Sequence, residues 1–154
     1  MDCIFCEISS GKLPAYKIYE DEDLLVILDK KPVSKGHLLV IPREHYEGIQ
    51  DTPPNVLAKT WLAASALAKI YRINLNALGV NVLTNSGEAA GQVIFHFHVH
   101  VIPRWDLENY RKHSRHDLDD NEAKEVIDMV RPYAELYIKN YISQVNNLVK
   151  NKFV

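Results

Sequence analysis

The sequence predicts an α+β fold in which an antiparallel sheet packs against helices. Three short apolar segments arrive first and close together, as hairpins rather than as strands that alternate with helices. One segment of clear helical periodicity follows, then two more apolar segments and a helical tail. This order favours an antiparallel sheet over a doubly wound parallel one. The 154 residues suit one domain, with a core over about residues 3–104 and a helical extension over about residues 118–150.

Three strands are predicted in the first third of the chain. Residues 16–19 and 24–28 are apolar segments joined by an acidic turn that is short enough for a direct hairpin. Residues 37–41 predict the third strand, since Gly36 precedes it and Pro42 follows it.

Two helices and two further strands follow. Thr52 is the expected N-cap of the first helix and Pro53 fits its first turn. Residues 79–84 and 94–102 predict strands, the latter ended by Pro103. The apolar positions of the first helix are Leu57, Trp61, Ala64, Leu67, Ala68 and Tyr71.

The tail from about Asp119 predicts the second helix, in which Pro132 should cause a kink or a break. Its predicted apolar stripe is Val126, Met129, Val130, Tyr133, Leu136 and Tyr137, extended by Val145, Leu148 and Val149.

Composition excludes several classes of protein. Hydrophobic residues make up 47% of the chain and charged residues 25%, an ordinary globular balance. A formal net charge of -2 gives no electrostatic footprint for nucleic acid. The apolar runs are too short to span a bilayer, and the first residues lack the regions of a signal peptide. We therefore expect a cytoplasmic protein with no nucleic-acid or membrane partner.

Histidines occupy every second position of the last predicted strand, at His96, His98 and His100. Because strand side chains alternate faces, all three would share one face, with about 7 Å between successive imidazoles. Such a row can bind a metal, or it can supply a nucleophile whose neighbours fix its tautomer and meet a phosphate. Histidines that only satisfy hydrogen bonds are the alternative, which strict alternation beside a glycine loop disfavours.

The loop before these histidines, residues 85–92, contains two glycines and the side-chain amides of Asn85 and Gln92. Successive backbone N–H groups in such a loop can form an anion-binding nest. A plain turn is the simpler interpretation of the loop taken alone. Its position directly before the histidines favours a cradle for phosphate oxygens.

Together these residues resemble the histidine triad (HIT) superfamily of nucleotidyl hydrolases and transferases. Its signature, His-x-His-x-His followed by apolar residues, is met by residues 96–102, and Gly91-Gln92 matches its upstream Gly-Gln. Residues 29–32 and 36–42 match a second landmark, and the opening Cys-x-x-Cys resembles a microbial branch. The resemblance implies a five-stranded antiparallel sheet with one long central helix, assembled as a homodimer.

The resemblance also implies a role for each histidine. His98 would attack the α-phosphorus of a nucleotide and form a covalent nucleotidyl-histidine intermediate, which water then cleaves to a nucleoside monophosphate. Its other ring nitrogen would donate to the backbone carbonyl of His100. His96 and His100 would flank the nucleophile, and His37 would orient the triad from the neighbouring strand.

Five further residues would bind a purine ribonucleotide. Gln92 would contact the leaving-group side of the phosphate, beside Gly91, and Asn85 would help to position it. Asp29 would accept hydrogen bonds from the ribose hydroxyls, with a simple turn residue as the equal alternative. Val93 stands where the phosphoramidase branch usually has Ser, so its backbone N–H is kept and the hydroxyl contact is lost.

The only two cysteines, Cys3 and Cys6, indicate metal or redox chemistry rather than a structural disulfide. A tetrahedral zinc site needs two more ligands, for which His45 is one candidate. The resemblance completes the set with His96, and four protein ligands would make the zinc structural. The chemical step itself would then require no cofactor. Two small buried cysteines with His45 on the surface are the alternative.

A basic cluster follows the histidines and would meet the distal phosphates of a dinucleoside polyphosphate. A solvated loop is the favoured alternative, because acidic residues are interleaved. The cluster contains Arg104, Arg111, Lys112, His113, Arg115 and His116.

The sequence thus predicts an enzyme that cleaves nucleoside phosphoramidates or dinucleoside polyphosphates at the α-phosphate. A non-catalytic nucleotide-binding module with a structural zinc is the second class, and a zinc-dependent interaction module is the third. The intact triad favours the enzyme.

Overall fold

The computed structural model describes residues 2–108 and 114–153, with side chains as far as residue 147. Five strands form one sheet in the order β1-β2-β3-β5-β4, and every neighbouring pair is antiparallel. The strands are β1 (Lys17–Glu20), β2 (Leu24–Leu28), β3 (Leu38–Pro42), β4 (Gly79–Leu83) and β5 (Val99–Arg104). The predicted α+β class with a five-stranded antiparallel sheet is confirmed.

Three α-helices accompany the sheet: α1 (Ile4–Ser9), α2 (Pro54–Lys69) and α3 (Asp120–Phe153). A π-helical turn, Ile70–Asn74, continues α2, and two short 3₁₀ turns lie at Ile49–Asp51 and Glu88–Ala90. Within residues 2–108 and 114–153, no helix is both long and apolar enough to cross a membrane.

The sheet buries apolar side chains on both faces, because successive residues of a strand point to opposite sides. The larger core lies between one face and the helices α2 and α3, and the smaller core joins the other face to Phe5 and Ile8 of α1. This explains why β2 is apolar at every position. The strand residues of the larger core include Leu24, Val26, Leu28, Leu38, Val40, Val99 and Val101, and those of the smaller core are Leu25, Ile27, Leu39 and Ile41.

The predicted histidine strand is shorter than expected. β5 begins at Val99, and residues 94–98 are bends and irregular backbone. His96 and His98 therefore precede the strand, and the prediction of three imidazoles on one strand face is wrong. The local backbone conformation at each histidine, rather than the regular alternation of one strand, therefore sets the direction of its side chain.

Pro103 lies inside β5, where the sequence predicted its end. Pairing between β3 and β5 finishes at the pair Leu38–Val101, whereas pairing with β4 continues to Arg104. Beyond Val101, β4 is the one strand of the described sheet that pairs with β5. A proline is tolerated there, because no ladder bond to β3 is lost.

The predicted start of α2 also needs correction. Pro53 occupies the N-cap, so the helix has no side-chain cap, and the Thr52 hydroxyl donates to the Gly48 carbonyl at 2.8 Å instead. The helix begins at Pro54, one residue later than the sequence predicted.

The tail forms a single helix through Pro132. Pro132 and Asp128, whose carbonyl loses its helical partner, are both exposed, so water can replace that hydrogen bond. Leu136 is 67% exposed, contrary to the predicted stripe. Leu148 and Val149 lie outside the residues whose side chains are described. The fully buried residues of α3 are Ala123, Val126, Val130, Ala134 and Ile138.

Candidate active site and metal centre

A cleft of about 430 Å³ opens on the face of the sheet that carries α1. Phe5 and Leu39 of the smaller core form part of its wall. The structure brings seven of the predicted site residues together along this cleft, whereas His37 and His96 lie outside its lining. The seven are Asp29, Asn85, Gly91, Gln92, Val93, His98 and His100.

His98 presents one ring nitrogen to the cleft. Its Nδ1 lies 2.7 Å from the carbonyl oxygen of His96, and a carbonyl only accepts, so Nδ1 carries the proton. The carbonyl is that of His96, not that of His100 as expected, because the chain bends before β5. Burial lowers the pKa of His98, against the raising effects of the His96 carbonyl and of Asp29. The ring is therefore neutral at pH 7, with its lone pair on Nε2.

A chain of hydrogen bonds fixes the proton on His100. The backbone N–H of Val33 donates to Nδ1 of His37 at 3.1 Å, so His37 carries its proton on Nε2. This Nε2 donates to Nδ1 of His100 at 2.9 Å, which leaves the His100 proton on its own Nε2. Burial lowers the pKa of His37 to about 4 and that of His100 to about 3, so both rings are neutral. His100 is thus a hydrogen-bond donor at the cleft.

Asp29 acts as a turn residue, and its carboxylate also lies at the cleft. Its Oδ1 accepts a hydrogen bond from the backbone N–H of Lys31 at 2.9 Å, as a turn residue does. Its Oδ2 accepts from Nη1 of Arg115 at 3.1 Å and lies 3.5 Å from Nε2 of His37. The carboxylate also lines the cleft and is therefore available to a hydroxyl there.

Hydrogen bonds of the Gln92 side chain stabilise the loop before the histidines. Gly87 and Gly91 have φ angles of 91° and 89°, which glycine adopts without strain. The Gln92 side chain accepts from the Gly87 N–H at 2.8 Å and donates to the carbonyls of Glu47 and Ile94 at 2.7 and 3.1 Å. These bonds occupy the amide, so in this structure Gln92 shapes the loop rather than pointing a free amide at the cleft.

The four predicted metal ligands converge beside the cleft. Their ligand atoms all lie within 4.8 Å of one another. Cys3 Sγ lies 3.4 Å from His96 Nδ1, Cys6 Sγ lies 3.4 Å from His45 Nδ1, and the two Nδ1 atoms are 3.1 Å apart. A tetrahedral zinc ion separates sulfur from nitrogen ligands by about 3.6 Å and two nitrogens by about 3.3 Å. The donor set and its spacing therefore fit zinc.

The tautomer of His96 also fits a metal ligand. Its Nε2 lies 2.7 Å from the Pro42 carbonyl and must donate to it, so Nδ1, on the side of the cysteines, is unprotonated. Metal-bound histidines usually donate their second ring N–H to such an acceptor. Burial lowers the pKa of His96 to about 4, which keeps the ring in its ligating form.

Phe5 and Arg115 are among the lining residues that the sequence did not identify as parts of the cleft. Phe5 places its ring edge-on to His98, with centroids 5.1 Å apart. Its position between the two cysteines was the available signal, since the metal cluster brings that turn to the triad. Arg115 was grouped with the basic cluster, in which His116 pairs with Glu122 at 2.9 Å. Arg111, Lys112 and His113 lie outside the described residues.

Comparison with known proteins agrees with this arrangement. The HIT domain model matches residues 10–107. The adenylylsulfatase HINT3 of Arabidopsis thaliana is 43% identical over 140 aligned positions, covering 84% of this chain and 68% of that protein. Protein hit of Bacillus subtilis is 42% identical over 104 positions, covering 68% of this chain and 72% of that protein.

Solved structures give the same result. A zinc-bound histidine triad family protein from Mycobacterium smegmatis superposes with a TM-score of 0.73 and 39% identity, covering 96% of this chain and 98% of that one. A HIT family hydrolase from Clostridium thermocellum superposes with a TM-score of 0.60 and 33% identity, covering 69% and 93%. With its sheet, histidines and family match in agreement, the chain belongs to the HIT family.

Proposed function

We propose that this protein cleaves nucleotides at the α-phosphate through a covalent intermediate on His98. The observation that carries the proposal is the hydrogen bond from His98 Nδ1 to the His96 carbonyl, which leaves a neutral Nε2 at the cleft. In the first step the Nε2 lone pair forms a bond to phosphorus and the leaving group departs with the electron pair of its own bond. Water then attacks phosphorus, the N–P bond breaks, and the nucleoside monophosphate is released.

The neighbouring groups have complementary tasks in this mechanism. The Nε2–H of His100 donates to a non-bridging phosphate oxygen, where negative charge increases in the transition state. Asp29 accepts from the ribose hydroxyls, and the N–H groups around Gly91 and Val93 approach the phosphate. Each task uses a group that lines the cleft.

The relatives support one class of substrate. The Arabidopsis relative is described as an adenylylsulfatase, and the Clostridium neighbour as a hydrolase, which supports an adenylyl nucleotide as the substrate. We propose a purine ribonucleotide joined at its α-phosphate through a P–N bond or a phosphoanhydride.

The test is the release of AMP from adenosine phosphoramidate, adenylyl sulfate and diadenosine polyphosphates by wild type and His98→Ala. Gln144→Ala, which changes an exposed residue of α3 outside the cleft, is the control. We expect release by wild type and the control, and none by a folded His98→Ala. Binding of AMP without any release would support a non-catalytic nucleotide-binding module instead.

We also propose that Cys3, Cys6, His45 and His96 bind a structural zinc ion. The spacing of their ligand atoms supports this, as does the zinc-bound neighbour from Mycobacterium smegmatis. The ion would tie α1 to the segment before β5 without an open position for water.

A homodimer is the assembly we propose. In the described sheet β4 pairs with β5 alone, so its outer edge is open for a second copy. Light scattering during size-exclusion chromatography, with a monomer as the contrary result, tests the assembly.

A further inference from the structure

A second cavity, of about 220 Å³, adjoins the cleft. His100, Asn85 and Arg115 line both spaces, and Arg104 and Asn81 lie in the wall of the second one. Among the residues that the structure describes, no Asp or Glu lines this second cavity. Two guanidinium groups, two amides and an imidazole donor therefore line this adjoining space together with three apolar residues, Val33, Leu83 and Ile102.

Both guanidinium groups are anchored at this position. Nε of Arg104 donates to Oδ1 of Asn81 at 2.8 Å. Nη1 of Arg115 donates to the Lys31 carbonyl at 2.7 Å and to Oδ2 of Asp29 at 3.1 Å. An arginine that is held in this way loses less side-chain entropy when an anion binds, because its orientation is already restricted.

The positive charge of both arginines reaches the histidines. Burial is the main cause that lowers the pKa of His37, and the charges of Arg115 and Arg104 act in the same direction, against Asp29. Burial is also the main cause of the lowered pKa of His100, and Arg115 adds a smaller effect in the same direction, against Asp29. Both guanidinium groups are therefore close enough to act on the triad.

The candidate nucleophile lines the cleft but not the second cavity. His98 is absent from the lining of the second cavity, whereas His100 lines both spaces. In phosphoryl transfer the entering and leaving atoms are roughly in line on opposite sides of phosphorus. A phosphate attacked by His98 would thus direct its leaving group away from His98, and the second cavity is an adjoining space that His98 does not line.

We infer that Arg115 and Arg104 form a subsite for an anionic leaving group. The protein would then prefer nucleotidyl anhydrides, which release phosphate or sulfate, to phosphoramidates, which release an amine. This inference rests on the proposed attack by His98. When the P–O bond breaks, its electron pair stays on the leaving oxygen, and the guanidinium groups stabilise the resulting negative charge. An amine instead departs after it gains a proton, and the same positive charges oppose that protonated form.

A third cavity, of about 340 Å³, gives room for larger leaving groups. It shares Arg104 and Arg115 with the second cavity and adds Lys35 and His116, with Asp106 as the acidic residue of its described lining. A nucleoside polyphosphate could therefore extend past the two arginines without meeting the core.

The kinetic test compares two substrates that share the adenylyl group, adenylyl sulfate and adenosine phosphoramidate. We expect Arg115→Gln to lower kcat/KM for adenylyl sulfate about 10-fold or more relative to phosphoramidate, as the loss of a hydrogen bond to a charged group does. Arg104→Gln should change the ratio in the same direction. Arg131→Gln, an equal charge change at an exposed position of α3, should leave the ratio unchanged. An equal loss for both substrates in Arg115→Gln would overturn the inference, because disruption of Asp29 or of the fold acts on the shared adenylyl group.

A binding test separates this inference from the proposed chemistry. In a His98→Asn background, which prevents turnover through this histidine, calorimetry would measure the Kd of AMP and ADP with and without Arg115→Gln. The subsite predicts about 10-fold weaker binding of ADP with little change for AMP. If wild type hydrolysed no substrate, the proposed function would be wrong. The change in the Kd of ADP relative to AMP would still show whether the subsite exists. Equal weakening of AMP and ADP, or none, would contradict it.

Discussion

His96 belongs to two sites at once. Its imidazole lies in the Cys–His cluster, 3.4 Å from Cys3 Sγ, while its carbonyl oxygen lies 2.7 Å from His98 Nδ1. The side chain therefore belongs to the Cys–His cluster, and the backbone of the same residue orients the candidate nucleophile. A metal bound by the cluster would be coupled to the position of His98 through this one residue.

Loss of the metal centre should consequently affect both stability and catalysis. We expect His45→Asn to lose the bound zinc, to unfold at a lower temperature and to lower kcat about 10-fold, because the segment that carries the His96 carbonyl is less firmly held. Metal analysis by mass spectrometry, calorimetric unfolding and AMP release measure the three effects.

The control for that experiment is Gln144→Ala, which changes an exposed residue of α3 outside the cluster. It should keep its zinc, its unfolding temperature and its activity. Equal zinc content in wild type and His45→Asn would eliminate the metal centre. Zinc loss with unchanged kcat would show that the His96 carbonyl holds its place without the ion.

His37 is predicted to act as a positioning residue for His100. Replacement by Phe keeps an aromatic ring in the buried site but removes the donor to His100 Nδ1, so the His100 proton can occupy either nitrogen. We expect kcat to fall about 10- to 100-fold, as for other residues that orient a functional histidine. Nitrogen-15 NMR of the His100 ring should change from one tautomer to a mixture. A retained tautomer with reduced activity would point to a purely structural role for His37.

The antiparallel strands and the proximity of Cys3 to Cys6 could be predicted because each depends on a short pattern. The residues of β2 are apolar at all five positions, and the spacing of Cys3 and Cys6 limits them to one helical turn. The structure places His45 and His96 beside them, as the family resemblance implied.

The parts that sequence could not predict depend on contacts between distant segments. The backbone N–H of Val33 sets the tautomer of His100 through His37, and no local pattern encodes that chain of bonds. The irregular backbone before Val99 was missed, because alternating apolar residues and histidines satisfy the strand pattern equally well. Arg115 reaches Asp29 across 86 positions of the chain.

Acid should destabilise the protein through His37. Its pKa in the folded protein is lowered to about 4, chiefly by burial and further by Arg115 and Arg104 against Asp29, whereas the unfolded value is about 6.5. Between these values the unfolded chain binds more protons, so the free energy of unfolding falls as pH decreases from about 6.5 to 4 and is independent of this group above it. The contribution of His37 to that fall is about 3 kcal/mol.

Urea unfolding of wild type and His37→Phe at several pH values between 4 and 7.5 isolates this effect. Both proteins keep the same metal ligands, so acid release of zinc affects them alike and cancels in the comparison. The variant should show the weaker dependence on pH, whatever its stability at pH 7. Parallel curves would mean that His37 has a similar pKa in the folded and unfolded chain.

Gly36 is predicted to stabilise the turn that leads into His37 and β3, because another residue would strain it. Its φ is +95°, and a Cβ there would lie 2.8 Å from Tyr71 Oη and 3.1 Å from Pro103 Cγ. Gly36→Ala should therefore lower the free energy of unfolding by about 2–4 kcal/mol, from the left-handed backbone and the overpacked contact together. Gly79→Ala is the matched control, because a Cβ at Gly79 meets no atom within 4 Å and its φ is not positive. Equal losses in the two variants, measured by urea unfolding, would show that neither the positive φ of Gly36 nor its contacts with Tyr71 and Pro103 cause the loss. A loss confined to Gly36→Ala ties the stability of the fold to the turn that positions His37.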